Sequence, residues 1–530
     1  MGKSAIIVGG GHNGLVCACY LARAGWQVTV LERRSIVGGA AVTETFHPGF
    51  KNSTASYTVS LLDPQVIKDL HLREHGLKMV TRPCNNLLPL PNGDFLALNA
   101  DANFNREQIS KFSSHDAAQL ANYNNDIGAI APIVKSLMAS IPPKVINGGL
   151  NDIFASIAVA RKFIQLEARH KRLIMKLFTV SAAEFLDYYF ESDPLKAVFG
   201  FDAIVGHFDS PYSPGSAYVL LHHLLGEVNG EVGAWGHAIG GMGAITTAMA
   251  EEATSLGVKI QLESGVASLK TKANRVTELI TQNDMTLSAD LIVANVNPRM
   301  LFLDLLSADS VPADIREHFE GYKCQSGTFR MNVALDELPQ FTCKPTQAML
   351  AAGIIMAPTL DYMDRAYRDA KQTGWSKQPI VEMLIPSLLD PNLAPQGKHV
   401  ASLFCQQFDP KLRSEWDTHR QSAIDAILNT VESFAPGFKS LIVGQQAHSP
   451  WDLEQKFGLV GGDIFHGRLS LEQLFSARPM LGMGQYRTHL DNLYMCGAGT
   501  HPGGGVSGLP GQNAARAIIG GRAFAKLQVS

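Results

Sequence analysis

Apolar and polar positions change their rhythm three times along this chain. An apolar run at Ser4–Val8 leads into Gly9-Gly10-Gly11-His12-Asn13-Gly14. A helical spacing of apolar residues continues to Ala24, and a second apolar run, Gln27–Leu31, ends on Glu32. Strand, turn, helix and strand are therefore expected at the start. From about residue 85 to 235 the pattern becomes long helical stretches separated by Pro/Gly breaks at Leu88–Gly93, Pro142–Gly149 and Pro211–Gly215. Glycines return at Gly236-His237-Ala238-Ile239-Gly240-Gly241-Met242-Gly243 and open an alanine-rich helix, Ala244–Ser255. Strands are predicted next at Val258–Leu262, Gly265–Lys270, Val276–Ile280 and Leu291–Val293. Residues 300–450 are mixed, with a strand expected at Thr328–Ala334. A final strand, Leu493–Cys496, runs through a glycine-rich turn into a helix from Gln512 to Lys526.

Two rhythms of this kind imply an α/β protein. One discontinuous, Rossmann-like nucleotide-binding domain is expected from residues 1–80, 236–300 and 450–530. An inserted α+β substrate domain is expected from residues 81–235 and 301–449. With 530 residues, 46% hydrophobic and 18% charged, the chain has the material for such cores and is neither disordered nor fibrous. A net charge of −3 and the lack of a basic arm argue against nucleic acid as a partner. Its seven cysteines are scattered without a C-x-x-C pair, which disfavours a disulfide framework, a structural zinc or a thiol–disulfide reductase. No run of 18 apolar residues is present, and the first strand at Ser4 leaves no space for a targeting segment, so a cytoplasmic protein is expected.

The opening segment carries the chemistry. Gly9, Gly11 and Gly14 form G-x-G-x-x-G between a strand and a helix, with Glu32 at the end of the next strand. Gly9 permits the tight turn, Gly11 lets backbone N–H groups approach a pyrophosphate, and Gly14 lets helix and strand pack closely. The helix N-terminus adds unpaired N–H donors for phosphate, and Glu32 accepts from a ribose hydroxyl. An adenine dinucleotide is the expected ligand.

A second glycine triplet, Gly503-x-Gly505-x-x-Gly508, sits too far beyond its strand to be another nucleotide fold, and Pro502 and Pro510 flank it. It is better placed to hold the far end of a long cofactor, and FAD has the length to touch both chain ends. The opening turn, Gly38-Gly39, Gly240-Gly241-Met242-Gly243-Ala244 and Gly497-Ala498-Gly499-Thr500-His501-Pro502-Gly503 together resemble the phytoene desaturase and carotenoid isomerase family of FAD oxidoreductases. Resembling segments, among them residues 49–57, 220–227 and 461–479, are spread over essentially the whole chain. The resemblance implies pyrophosphate contacts at Gly9, Gly11 and Gly14, with His12 and Asn13 inside the loop. It further implies Glu32 at the adenosine ribose, Gly38, Gly39 and Ala40 along the cofactor, and Val266 at the adenine. Gly499, Thr500, Val506 and Ser507 would lie near the ribityl chain and flavin. Many relatives carry Arg where this chain has Ala40, so Arg33 or Arg34 is the candidate for balancing phosphate charge.

For catalysis the strongest polar cluster is Asp463-Ile464-Phe465-His466 between Gly461-Gly462 and Gly467, and a loop histidine there suits proton transfer. His501, in the flavin-end loop, is a second candidate. His222 and His223 lack the spacing of a metal pair and are expected to be satisfied within their helix, and no metal is expected. The function expected is an FAD-dependent oxidoreductase acting on an apolar, lipid- or isoprenoid-like substrate by desaturation or double-bond isomerisation. Oxygen or a quinone would take the electrons. A flavin amine oxidase is the first alternative, although no aromatic pair flanks the closing motif; a non-catalytic FAD-containing scaffold is the second. Residues 154–178 are basic and apolar together, which fits a lid, a contact between copies of the chain or a peripheral membrane contact.

Overall fold

A computed structural model describes residues 2–146, 148–149, 157, 161 and 163–528. Its first sheet has five strands in the order Lys259–Gln261, Gln27–Leu31, Ser4–Val8, Leu291–Ala294, Leu493–Met495. Every pairing in it is parallel. Parallel strands are covered on both faces, and period-two alternation divides their side chains between two cores. Ala5, Ile7, Val28, Val30 and Val293 pack on one side against the helices His12–Arg23, Met242–Ser255 and Leu509–Ile519. Ile6, Val8, Leu31, Ile292 and Ala294 face the other side, which a three-stranded antiparallel meander (Val266–Lys272, Arg275–Thr281, Thr286–Leu287) and residues 300–322 cover.

The first and last helices of this unit touch almost backbone to backbone. A Cβ on Gly511 would lie 2.2 Å from the Asn13 carbonyl oxygen, so the closing helix joins the cofactor turn only because residue 511 has no side chain. That helix starts at Leu509, with proline in its first turn. It does not run to Lys526 as the spacing predicts. Gly520 adopts φ +90° and separates Leu509–Ile519 from a short turn of helix at Gly521–Phe524.

The second sheet has seven strands, in the order Ile442–His448, Thr328–Leu335, His399–Phe408, Trp375–Leu384, Gly353–Met356, Asn86–Pro89, Phe95–Leu98. All pairs are antiparallel except Gly353–Met356 with Asn86–Pro89. Alternation again sorts the residues. Leu403, Cys405, Val381, Ile354 and Met356 face the helix Trp416–Phe434. Phe404, Ile380 and Ile355 face a helical layer that includes Ser114–Met138, Ala168–Thr179, Asp193–Asp202 and Ser216–Leu224. This is the expected fold class: a discontinuous α/β nucleotide-binding unit with an α+β unit inserted in it. All seven cysteines are buried and free. Among the described residues no helix is long and apolar enough to cross a membrane. Of the basic, apolar stretch 154–178, residues 154–156, 158–160 and 162 lie outside the described residues. The helix Ala168–Thr179 buries Leu173, Ile174 and Leu177 and exposes Met175.

Candidate cofactor and active site

A cavity of about 580 Å³ lies where the two units meet. Glu32, Gly265 and Val266 wall one end of it, the opening turn and Gly38–Ala40 its flank, and Phe465, His466, Ala498, Gly505 and Val506 the other end. The opening turn is built as its glycines predict. Gly9 takes φ +103°, and a Cβ on Gly14 would come within 2.4 Å of the Gly9 carbonyl oxygen, so helix and strand approach as closely as backbone allows. Gly11 caps the helix His12–Arg23 with no side-chain acceptor on the first-turn N–H groups, leaving them as donors. Asn295, at the end of the strand Leu291–Ala294, steadies the turn by donating to the Gly9 carbonyl at 3.0 Å. It has no counterpart in the fingerprint, and no spacing in the chain points to it.

Glu32 is 5% exposed and already accepts the N–H groups of Gly10 (2.8 Å) and Arg34 (2.9 Å), one on each carboxylate oxygen. Its remaining lone pairs are free for ribose hydroxyls. The glycine doublet packs on the turn itself: Gly38 donates to the Gly10 carbonyl at 2.8 Å, and Ala40 lines the cavity beside it. Arg33 and Arg34 both line the cavity as well. Arg34 gives Nη2 to Glu44 at 2.8 Å and keeps Nη1 buried without a partner, whereas Arg33 reaches the Gln455 carbonyl at 3.2 Å.

At the other end, Asp463 organises a turn and does not wall the cavity. Its carboxylate accepts the N–H groups of Gln325 (2.7 Å) and Phe465 (2.8 Å), and burial pushes it up to about 6. That turn presents Ile464, Phe465 and His466 to the cavity. His466 holds φ +56°, and its Nδ1 is buried without a partner. Burial, then His12 and Arg478, push its imidazole down to about 4, so it is neutral at physiological pH. His501 requires a correction: it does not wall the cavity. Its Nε2 meets the Leu137 carbonyl at 3.0 Å and its ring packs on Phe475, which makes it a brace between the closing loop and the helix Ser114–Met138. Thr500 and Ser507 also turn their hydroxyls into the protein, toward the Gly497 carbonyl and the Leu509 N–H. Only Ala498, Gly505 and Val506 of the closing loop reach the wall.

Beyond these residues lies a wall whose Tyr57, Phe404 and Glu382 sequence reasoning missed. Tyr57 stacks on Phe404 with ring centroids 4.7 Å apart, and its hydroxyl donates to Glu382 at 2.6 Å. The Arg330 guanidinium lies 4.6 Å from the Tyr57 ring and bonds the carbonyls of Ala55 and Leu403. Arg82 donates to Thr58. Burial pushes Glu382 up, against the pull of Arg82, and burial with Glu382 pushes Asp202 up to about 8. His223 is tied to the Val219 carbonyl as expected, yet it lines the cavity, which the helix spacing did not show.

Four cavity residues carry a buried polar atom with no partner among the described residues: His12 Nε2, Asn13 Oδ1, Arg34 Nη1 and His466 Nδ1. Buried polar atoms left unpaired are costly, and these are distributed from the phosphate turn to the far end. A ligand that is polar along its length and stretches between both chain ends satisfies them, and FAD fits. A nucleotide turn, a ribose acid and a second loop closing the far end define a flavoprotein oxidoreductase.

The chain belongs to the flavin containing amine oxidoreductase family, which residues 14–328 match. It is 38% identical to pyridine nucleotide-disulfide oxidoreductase domain-containing protein 2 of Rattus norvegicus, across 97% of this chain and 93% of that one. A lycopene-forming phytoene desaturase of Pseudescherichia vulneris is 24% identical, over 96% of both chains. Among solved structures, an oxidoreductase from Methanosarcina mazei superposes with a TM-score of 0.61 at 15% identity, covering 97% of this chain and 99% of that one. A putrescine oxidase variant does so with 0.59 at 15% identity, covering 98% of each. The protein is an FAD-dependent oxidoreductase.

Proposed function

We propose that this enzyme desaturates, or isomerises a double bond in, an uncharged apolar substrate of lipid or isoprenoid type. The wall formed by Tyr57, Phe404 and Arg330 carries this reading. An amine oxidase needs a gap between two rings or a carboxylate for the ammonium. Here the two rings touch at 4.7 Å, a guanidinium lies on them, and the acids behind them are shifted toward their uncharged form. A cation entering this space has the buried Arg330 charge behind the rings, whereas an alkene meets aromatic faces, Val205, Trp235 and Ile464.

The flavin, when bound, supplies a two-electron acceptor for a hydride. Gly9, Gly11, Gly14, His12 and Asn13 would hold its pyrophosphate, with Arg34 Nη1 as the free cationic donor in place of the arginine absent at Ala40. Glu32 would hold the ribose and Val266 the adenine, while Ala498, Gly505 and Val506 would close on the ring. His466 is the proton-handling residue: neutral and unpaired, it can accept the proton from the carbon next to the one that loses hydride. A substrate cation is acidic enough there for a weak base to suffice. Asp463 sets the turn that aims it. Oxygen or a quinone would take the electrons from the reduced flavin. An apolar substrate arriving from a membrane surface would meet the helix Ala168–Thr179, where Met175 is exposed beside Arg169, Lys171, Arg172 and Lys176.

The test mixes FAD-loaded protein without oxygen against a long polyene isoprenoid in detergent micelles, and separately against primary amines and polyamines. Loss of the oxidised-flavin absorption with the isoprenoid, or a chromatographically shifted double-bond isomer without net bleaching, is expected. Bleaching by amines alone overturns the proposal.

A further inference from the structure

Arg478 is fully buried, and no carboxylate among the described residues lies within ion-pair distance of its guanidinium. It gives all its donors to main-chain carbonyls instead. Nη2 reaches Phe465 at 2.7 Å and Ala498 at 2.8 Å, Nε reaches Thr500 at 3.2 Å, and Nη1 reaches Gln473 at 3.1 Å and Gly467 at 3.2 Å. A charge this deep persists only when every donor is satisfied. Asp463, on the neighbouring turn, spends its carboxylate on the N–H groups of Gln325 and Phe465.

The carbonyls of Phe465, Gly467, Ala498 and Thr500 belong to the two loops that wall the far end of the cavity, since Phe465 and Ala498 line that wall and Arg478 stands behind it. In a trans peptide the N–H points opposite to the C=O. With the Ala498 carbonyl drawn onto Arg478, the Gly499 N–H points away from the guanidinium, and it has no partner among the described residues. Residue 499 must be glycine for this, because a Cβ would lie 2.3 Å from Pro298. The charge is felt across the wall: after burial, Arg478 helps to hold both His466 and His501 down at about 4.

We propose that Arg478 is the positioning residue of the flavin end, clamping the two wall loops together and setting a fixed positive charge behind the ring, which favours the negative charge that arrives with electrons. The flavin should therefore be easier to reduce than free FAD, whatever the substrate.

The experiment measures the midpoint potential of the bound flavin by dye equilibration in the FAD-loaded wild type, Arg478→Met and Arg478→Lys. The wild type is expected above free FAD, Arg478→Met shifted down, and Arg478→Lys between them, because lysine keeps the charge but lacks the fork that grips several carbonyls. An Arg478→Met protein that holds FAD at an unchanged or raised potential overturns the proposal, including when its FAD affinity falls, since a brace alone would do that. If Arg478→Met does not fold, the wild-type value decides: a potential at or below that of free FAD overturns it.

Discussion

Single residues set how firmly FAD is held. Glu32 receives two backbone N–H groups before any ligand arrives, so its carboxylate is fixed in place and meets a ribose without reorganising. Glu32→Gln turns one acceptor oxygen into a donor that opposes a backbone N–H and weakens the hold on the ribose. Hydrogen bonds to charged groups are worth ~1.5–3 kcal/mol, so FAD should dissociate about ten- to a hundredfold more readily. Titration of the apo-protein by flavin fluorescence checks this, and an unchanged affinity would place the ribose elsewhere. The same scale separates the two arginines next in the chain. Both were candidates to replace the arginine missing at Ala40, and only Arg34 keeps a guanidinium nitrogen buried and free.

At the scale of elements, the opening turn depends on a contact that only one residue type permits. Gly14→Ala would put a methyl group 2.4 Å from the Gly9 carbonyl oxygen and 2.7 Å from Asn295 Nδ2, so the helix His12–Arg23 must back away from its strand. Overpacking of this kind costs ~1–3 kcal/mol, and the first-turn N–H groups would move with the helix. A lower unfolding temperature that added FAD no longer raises is expected. Gly128→Ala is the control: this exposed helical glycine has nothing within 4 Å of its Cβ, and alanine there should stabilise by ~0.5–1 kcal/mol. This turn was legible in the sequence because its contacts are local, and glycine spacing and apolar runs record local contacts. The meeting of Tyr57, Glu382 and Phe404 around Arg330 was not, because these residues stand on separate stretches of chain and come together through the pairing of the second sheet. His501 shows a third case. Its position in the closing loop was readable, but its side chain is aimed by the Leu137 carbonyl, 364 positions away. Arg478 left no trace either, since a residue that bonds carbonyls makes no demand on the identity of its neighbours.

Across the whole molecule, burial of imidazoles dictates the response to acid. His12, His207, His222, His223, His399, His448, His466 and His501 are all pushed below their ordinary value near 6.5, and burial is the first cause in each. Most are held down to about 4. Between those two values the unfolded chain binds the protons and the folded chain does not, so stability falls as pH falls through the window. Below about 4 both states are protonated and this contribution stops changing. Carboxyls raised by desolvation act in the opposite sense: Asp63, Asp202, Asp304, Glu382 and Asp463 are raised, so the folded state holds their protons more tightly and gains as pH falls. Eight histidines oppose five carboxyls, of which Asp202 is raised to about 8 and Asp463 to about 6. The histidines prevail, and the urea midpoint of the apo-protein should be lower at about pH 5 than at about pH 7. Two of the eight, His12 and His466, line the cofactor cavity with unpaired nitrogens. A bound FAD that gives those nitrogens partners changes their proton affinity, so the acid slope of the holo-protein should differ from that of the apo-protein, and His399→Gln, which does not line the cavity and is lowered by burial alone, should flatten both slopes alike. A urea midpoint that is level or rises toward pH 5 would mean that these imidazoles are charged in the folded state, and with that His466 would lose the neutrality its proton-accepting role requires.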